Sequence, residues 1–388
     1  MSLISRPPPL IGRTFNPDTN SVSIYINADA VRYDEEQKER QNGTHNHVPE
    51  DITVSTNPNH TREKFQTETV STYTVPESVL QYERQMRKIQ AADRAGSPVT
   101  KEEHLNLLYI DQHMIVVNKP SGVLCVPGVN NNPSMVQLVF DEFGPCESGL
   151  VDKMIVHRLD MDTSGVVVFA RTNQALTTLQ KSFRDRNVDK TYEALVCGQV
   201  EFKSNTIQSD LDYTHGLINL PLQRDHRFPP FMRVATPESE SEAAKAVHDL
   251  QNNGWKKIIR KKPKASTTEF KILNNQELYQ NKYPATRISL MPITGRTHQL
   301  RVHLAAIGHP IIGDPAYGIM GEASPNGGLS QEQLDETFSS YRASLELQRD
   351  INEEVQAVQQ CMCLHAKTLK IPHPVTGAMM VFEADPLF

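Results

Sequence analysis

Residues 157–165 read His-Arg-Leu-Asp-Met-Asp-Thr-Ser-Gly, set between the apolar Met154, Ile155 and Val156 and the run Val166 to Ala170. These residue types could do chemistry. A carboxylate attacks an electrophilic carbon or removes a proton, and an imidazole moves protons. A guanidinium binds phosphates and stacks on bases. The plain alternative is a polar turn between two strands, since Asp, Thr, Ser and Gly are ordinary turn residues. A turn, however, has no use for His157 and Arg158 beside Asp160, and a charged cluster at the mouth of a buried strand is where sites are held. A second dense stretch, "ATRISLMPITGRTHQLRVHLAAIGHPIIGDPAYG", carries Arg296, His298 and Arg301, and a third, "VNKPSGVLCVPG", carries Lys119.

Elements must hold these residues in place. "VVVFA" is β-branched and apolar throughout, as a strand covered on both faces is. "LNLLYIDQHMIVVNK" predicts two short strands about Asp111 and Gln112. "TNQALTTLQKSFRDR" sets Leu176, Leu179 and Phe183 on one helical face, and "KTYEALVCG" returns as a strand with Tyr192, Ala194 and Val196 on one side. Arg287 to Leu290 predict a further strand. Thr297 is the expected cap of a helix that Gly308 ends, with Leu300, Leu304 and Ile307 inward and His298 and Arg301 on another face. Upstream, Val79, Tyr82, Met86 and Ile89 fall at helical spacing, with Ser78 and Gln81 as a capping box and Gly96 as the stop; this helix is expected to dock on the domain that follows.

At 388 residues and a net charge of -6, the chain can bury a core, and its overall field does not favour nucleic acid. A nucleic-acid ligand therefore needs a local basic surface. Five cysteines, an odd number, do not make a disulfide framework and point to a reducing, intracellular compartment. No apolar run is long enough to span a membrane and no secretory core opens the chain. Arg6 and Arg13, with no acid before Asp18, fit an organellar transit peptide or a solvated terminus. Residues 1–76 are polar and aperiodic and are expected to be disordered. Two segments look inserted. One, at about 237–264, ends in the basic run "WKKIIRKKPK", a phosphate-binding stretch, a nuclear address or a solvated loop. The other, at about 319–358, has Ser330 and Gln333 as a cap and a stripe of Leu334, Phe338, Tyr341 and Leu345.

In their order, "VNKPSGVLCVPG", "HRLDMDTSG", "KTYEALVCG", "ITGRTHQLRVHLAAIGHPIIGD" and the ending "LHAKTLKIPHPVTGAMMVFEADP" resemble the RluA-type pseudouridine synthases. The resemblance implies an α+β fold: a mixed, mainly antiparallel curved sheet with flanking helices and an RNA cleft across its middle. It places the catalytic domain at residues 105–388, behind a helical lead-in at 77–104. The implied activity is isomerisation of a uridine in ribosomal or transfer RNA, in which the flipped base is detached from carbon 1′, rotated and rejoined through carbon 5. No metal and no cofactor is implied, and a monomer in the cytoplasm is expected, with organelle and nucleus as alternatives.

Residue by residue, the resemblance makes Asp160 the catalytic aspartate, as nucleophile or as base. Asp162 is its local rival, at a position the family pattern leaves open. Arg301 is expected to pair with Asp160 and keep it ionised. Tyr192 is expected against the flipped base, and Arg158 in the gap the nucleotide leaves. Arg296, Lys119 and His298 are expected to face RNA phosphates; His157 is grouped with the substrate-binding residues, but its expected part is structural, oriented by the turn. A metal hydrolase is the rival reading, but His298 and His303 are five apart where one helix face wants four, and "CMCLH" lacks a second ligand pair. A fused deaminase needs a second cysteine that "PCES" does not have.

Overall fold

A computed structural model describes residues 11–16, 21–26 and 77–388, except 129, 201–214, 229, 250–258, 260, 281, 331–332 and 334–341. The chain divides into two compact units, Met1–Thr72 and Tyr73–Phe388. In the first, β1 (Ile11–Asn16) and β2 (Ser21–Ile26) pair antiparallel, with Ile11 opposite Ile26 and Asn16 opposite Ser21. These two strands lie within the stretch that was expected to be largely disordered. The signal was present in "SVSIYI", where Val22, Ile24 and Ile26 alternate as a strand requires.

The second unit opens with helices α1 (Glu77–Ala95) and α2 (Lys101–His104), then β3 (Leu107–Ile110) and β4 (Met114–Lys119). Next come α3 (Met135–Phe143), β5 (Ser164–Ala170), α4 (Asn173–Arg184) and β6 (Asp189–Cys197). Strands β7 (His215–Asn219), β8 (Leu222–Arg224) and β9 (Met232–Val234) precede α5 (Pro237–Asp249), β10 (Thr267–Leu278) and β11 (Tyr283–Pro292). The chain ends through α6 (Gln299–Ala306), α7 (Leu345–Ala357), β12 (Leu364–Pro372) and β13 (Met379–Glu383). Among the described residues nine strands make one open sheet in the order β3-β4-β5-β12-β6-β11-β10-β7, with β13 on β12. All its pairs are antiparallel except β5 with β12. The fold is thus mixed α+β with a mostly antiparallel sheet and flanking helices, as expected.

That one parallel pair is a seam. It consists of Ser164 opposite His365 and Gly165 opposite Ala366, whereas β4 and β5 pair from Met114–Ala170 to Lys119–Gly165. Two half-sheets therefore meet over two residues. Gly165 has φ +115°, and a Cβ there would lie 2.3 Å from the Ala366 carbonyl oxygen, so only glycine fits. The Ser164 hydroxyl and His365 Nδ1 are 2.8 Å apart, and His365 Nε2 lies 2.9 Å from the Ala384 carbonyl, which ties the seam laterally.

The two faces of the first half-sheet follow the strand period. Ile115, Val117, Val167 and Phe169 pack with Met135, Val136 and Val139 of α3, while Met114, Val116, Val166 and Val168 pack with Ala175 and Leu179 of α4. In the second half-sheet, Leu195, Ile288 and Leu290 pack against Leu300, Leu304 and Ile307, the inward stripe expected of α6, and against Ile351 and Val355 of α7. The remaining apolar side of α6, Val302, Ala305 and Ala306, meets Leu222, Val234 and Tyr317. Every residue of α6 is buried, so its polar residues must all find partners.

Local boundaries differ from the sequence expectation where a cap was read one residue off. Helix α1 begins at Glu77, before Ser78, although Gly96 does close it by donating to Ala92 and Asp93. Helix α6 is entered through His298 in the left-handed region rather than capped by Thr297, because Gln299 takes over the work of holding the preceding loop. Ser330 and Gln333 do form the reciprocal pair, at 3.0 and 3.3 Å. Leu334, Phe338 and Tyr341 lie outside the described residues, and Leu345 belongs to a separate helix capped by Ser344. Lys256, Lys257 and Arg260 of the basic run also lie outside them. Among the described residues no helix is long and apolar enough to cross a membrane.

The seam gives a direct test by equilibrium denaturation. Gly149 also has a positive φ, but nothing lies within 4 Å of its missing Cβ, so Gly149→Ala should cost about 1 kcal/mol. Gly165→Ala adds a backbone clash and should cost about 3 kcal/mol or more. Equal costs would show that the close approach at the seam does not select the glycine.

Candidate active site

Asp160 sits just before the seam. Thr163 N–H donates to the Asp160 carbonyl at 3.2 Å, closing a turn over residues 160–163 that ends the strand-like alternation. The turn is latched from the Lys-Pro-Ser-Gly loop. Lys119 Nζ donates to the Met161 carbonyl at 2.9 Å, Gly122 N–H to the same carbonyl at 3.0 Å, and the Ser121 hydroxyl to the Asp162 carbonyl at 2.6 Å. Two sequence motifs thus make one structure. The turn also separates the two candidate carboxylates: Asp162 faces Arg94 of α1 at 3.6 Å, while Asp160 lines a cleft and faces Arg301.

Arg301 Nη1 donates to Asp160 Oδ2 at 3.1 Å. Its other edge is held harder, with Nε and Nη2 donating to the two oxygens of Asp314 at 2.8 and 2.7 Å. Asp314 is 1% exposed and also accepts the N–H groups of Ala316 and Tyr317. The Tyr317 ring lies beneath the guanidinium, 5.2 Å from its centre. His298 Nε2 stands 3.9 Å from Asp160 Oδ2, and its Nδ1 is 2.8 Å from the Tyr317 hydroxyl. Burial works against the Asp160 charge, but His298 when protonated, and Arg301, outweigh it and hold the carboxyl below its ordinary value. Burial pushes His298 down to about 4, so at neutral pH the guanidinium does this work.

The loop before α6 is stapled by Gln299. Its Oε1 accepts from Thr294 Oγ1 at 2.7 Å and Arg296 N–H at 3.0 Å, and its Nε2 donates to the Thr267 carbonyl at 2.9 Å and to Thr268 Oγ1 at 3.0 Å. Arg296 and His298 are thereby placed on the wall of a cleft of about 850 Å³ that Arg158 and Tyr192 also line. Charged residues on this wall are Arg158, Arg184, Arg186, Lys190, Arg296 and Arg301, against the single carboxylate of Asp160. A chain with net charge -6 thus has a strongly positive cleft, the local basic surface that nucleic acid needs. Burial, and then the Asp160 charge, push the Tyr192 phenol up, so it keeps its proton at neutral pH.

Of the residues expected to contact substrate, Asp160, Tyr192, Arg301, Arg158, Arg296 and His298 converge on this cleft. Lys119 does not. Its side chain is fully buried and its ammonium donates to the carbonyls of Pro120, Val123 and Met161, so all three N–H bonds are used and none is left for a phosphate. Burial also pushes it down to about 8. His157 lines the cleft, but Nε2 accepts from Val168 N–H at 3.2 Å and its ring stacks on Phe183 at 4.4 Å. Burial, with Lys190 adding to it, pushes it down to about 3, so it packs as a neutral ring between β5 and α4. His303 turns away, Nδ1 to Thr268 Oγ1 and Nε2 to the Leu220 carbonyl. Among the described residues no three His, Cys, Asp or Glu side chains are grouped to hold a metal ion.

Sequence reasoning missed Asp314 and Tyr317, although both stand in the quoted "IGDPAYG", because nothing local marks Asp314 as the partner of a helix arginine. It also missed Arg184, Arg186 and Lys190, which look like an ordinary helix end and strand start. The correction at Lys119 is testable through RNA binding. Arg296→Gln should reduce the slope of log affinity against log salt by roughly one, while Lys119→Gln should leave it unchanged and destabilise the fold by about 2 kcal/mol. A reduced slope for Lys119→Gln would restore it to the RNA-facing set.

Comparison with known proteins agrees with this geometry. The family described as RNA pseudouridylate synthase matches residues 113–306. The dual-specificity RNA pseudouridine synthase RluA of Haemophilus influenzae is 32% identical over 287 residues, covering 73% of this chain and 94% of that protein. Its namesake from Yersinia pestis is 33% identical over 284 residues, covering 73% of this chain and 99% of that one. A solved structure of human RNA Pseudouridylate Synthase Domain Containing 1 is 23% identical, covers 74% of this chain and 86% of its own, and superposes with a TM-score of 0.44. With most of the length of its relatives spanned and the motifs in order around one cleft, the chain belongs to the RluA-type RNA pseudouridine synthases, a family of isomerases.

Proposed function

We propose that the cleft isomerises a uridine of ribosomal or transfer RNA, with Asp160 as the catalytic residue. The observation that carries this reading is the single carboxylate in a cleft whose other charged lining residues are all cations, ionised by a guanidinium that Asp314 holds in place. Target RNA is drawn in by Arg158, Arg184, Arg186, Lys190 and Arg296. Flipping the nucleotide costs a few kcal/mol, offset by phosphate contacts and by Arg158 entering the vacated stack. The relatives carry names of dual-specificity enzymes, which supports more than one RNA target.

In the cleft Asp160 meets the sugar. Attack on carbon 1′ and removal of the ribose 2′ hydrogen both need an ionised carboxylate, and the Arg301 pairing supplies one. The Tyr192 ring offers a stacking face to the freed base. The site is complete within one chain, which supports a monomer. Five free cysteines, among them the exposed Cys361, support a reducing, intracellular setting.

Asp160→Asn keeps the side-chain shape and removes the charge. Pseudouridine formation should fall by at least about a thousandfold while RNA affinity stays near that of the wild type. Asp162→Asn, whose side chain faces α1, should cost less than about tenfold. Mass-spectrometric or chemical mapping of pseudouridine in cellular RNA with and without the protein identifies the target. A folded Asp160→Asn protein with appreciable turnover would remove Asp160 from the mechanism.

A further inference from the structure

His298 enters α6 with φ 53° and ψ 19°, a conformation that a non-glycine residue adopts at some energetic cost. Its ring forms part of the cleft wall, edge-on to Tyr317 at 5.6 Å and tilted against Phe231 at 6.2 Å. The Tyr317 hydroxyl accepts from Met232 N–H at 2.9 Å. Its own proton is then free for its second neighbour, His298 Nδ1, at 2.8 Å. A ring nitrogen that accepts carries no proton, so in a neutral imidazole the proton sits on Nε2.

Nε2 is the ring nitrogen recorded beside Asp160, and both residues line the cleft. Its nearest carboxylate oxygen, Asp160 Oδ2, is 3.9 Å away, too far for a hydrogen bond. Among the described residues no other acceptor is paired with it. The charged and titratable groups around the ring are Asp160, Arg301, Asp314, Arg224 and Tyr317. Burial outweighs the pull of the two carboxylates, so the ring is neutral at pH 7. A neutral donor in a partly desolvated cleft adds no charge for phosphate binding, but it discriminates strongly between an occupied and an absent acceptor.

We propose that His298 is a substrate-contacting hydrogen-bond donor, its proton held on Nε2 by the Tyr317 hydroxyl and offered to an oxygen of the target nucleotide beside Asp160. The proposal rests on the isomerase reading for the identity of that nucleotide. The acceptor is an oxygen in either case, the ribose 2′ oxygen or a carbonyl of the uracil. Strands β8 and β9 take part through Met232 N–H and Phe231, so their hairpin helps set the ring's orientation.

Nitrogen-15 NMR of histidine-labelled full-length protein at pH 7 should show His298 as the Nε2–H tautomer, and Tyr317→Phe should turn it into a mixture. A wild-type Nδ1–H tautomer or an imidazolium would overturn the proposal. This readout needs no turnover, so it stays informative even if the wild-type protein makes no pseudouridine and the isomerase reading falls. With RNA, His298→Phe should slow single-turnover isomerisation at least tenfold with affinity and salt slope unchanged, and His298→Gln, which retains a donor, should restore most of the rate. Weaker binding with a shallower salt slope would instead mark a phosphate contact and overturn it. The His298→Phe penalty should vanish on a 2′-deoxy target if the ribose is the acceptor, and on a 2-thio or 4-thio target if the base is. A penalty unchanged on all three would contradict the proposal.

Discussion

One guanidinium, that of Arg301, is shared between two carboxylates in unequal environments, and the rest of the site is arranged around that inequality. Asp314 is almost fully buried, binds one edge of the guanidinium with both oxygens and is itself held by two backbone N–H groups. Asp160 is 31% exposed and receives a single donor. Arg301 is thus fixed by the carboxylate that cannot react and turned toward the one that can. Burying such a pair gives little net stability, and removing one partner costs about 3–5 kcal/mol because it leaves the other charge without its counterion. What the arrangement provides is a preorganised charge, the kind that requires no reorganisation when a substrate arrives.

The sheet explains how residues 141 positions apart come to share this interaction. Asp160 arrives from the first half-sheet, immediately ahead of β5, and Arg301 from α6, which packs on the second. Among the described strands the backbones of the two halves pair only at Ser164–His365 and Gly165–Ala366. A seam this narrow leaves the strand ends beside it free to diverge, and the cleft lies there. Gly165 makes the close approach sterically possible, and Lys119 fixes the turn by tying Met161 to the loop after β4. Both residues fix the geometry of the site, and the Lys119 charge also helps hold the Asp160 carboxyl down.

What could be read from the sequence follows physical range. Strands β4, β5 and β6 and helix α4 were legible because their apolar periods are local, and Asp160, Tyr192 and Arg301 because their motifs are compact. Lys119 was misread for a physical reason: a lysine in a loop motif resembles an RNA contact, and only the fold shows three carbonyls converging on it. Asp314 and Tyr317 were invisible as functional residues because their roles exist only once the turn after α6 folds back on the helix. The cap of α6 was misplaced because Thr297 has the right chemistry, while the tertiary staple from Gln299 removes the need for a side-chain cap.

The claim that Arg301 keeps Asp160 ionised is tested most directly by its carboxyl carbon-13 signal in the free protein. An ordinary aspartate is about half protonated near pH 3.9. At that pH Asp160 should remain predominantly ionised, with its signal close to the neutral-pH position. A signal shifted halfway or more toward the protonated position would show that burial, rather than the guanidinium, governs the carboxyl, and would contradict the account.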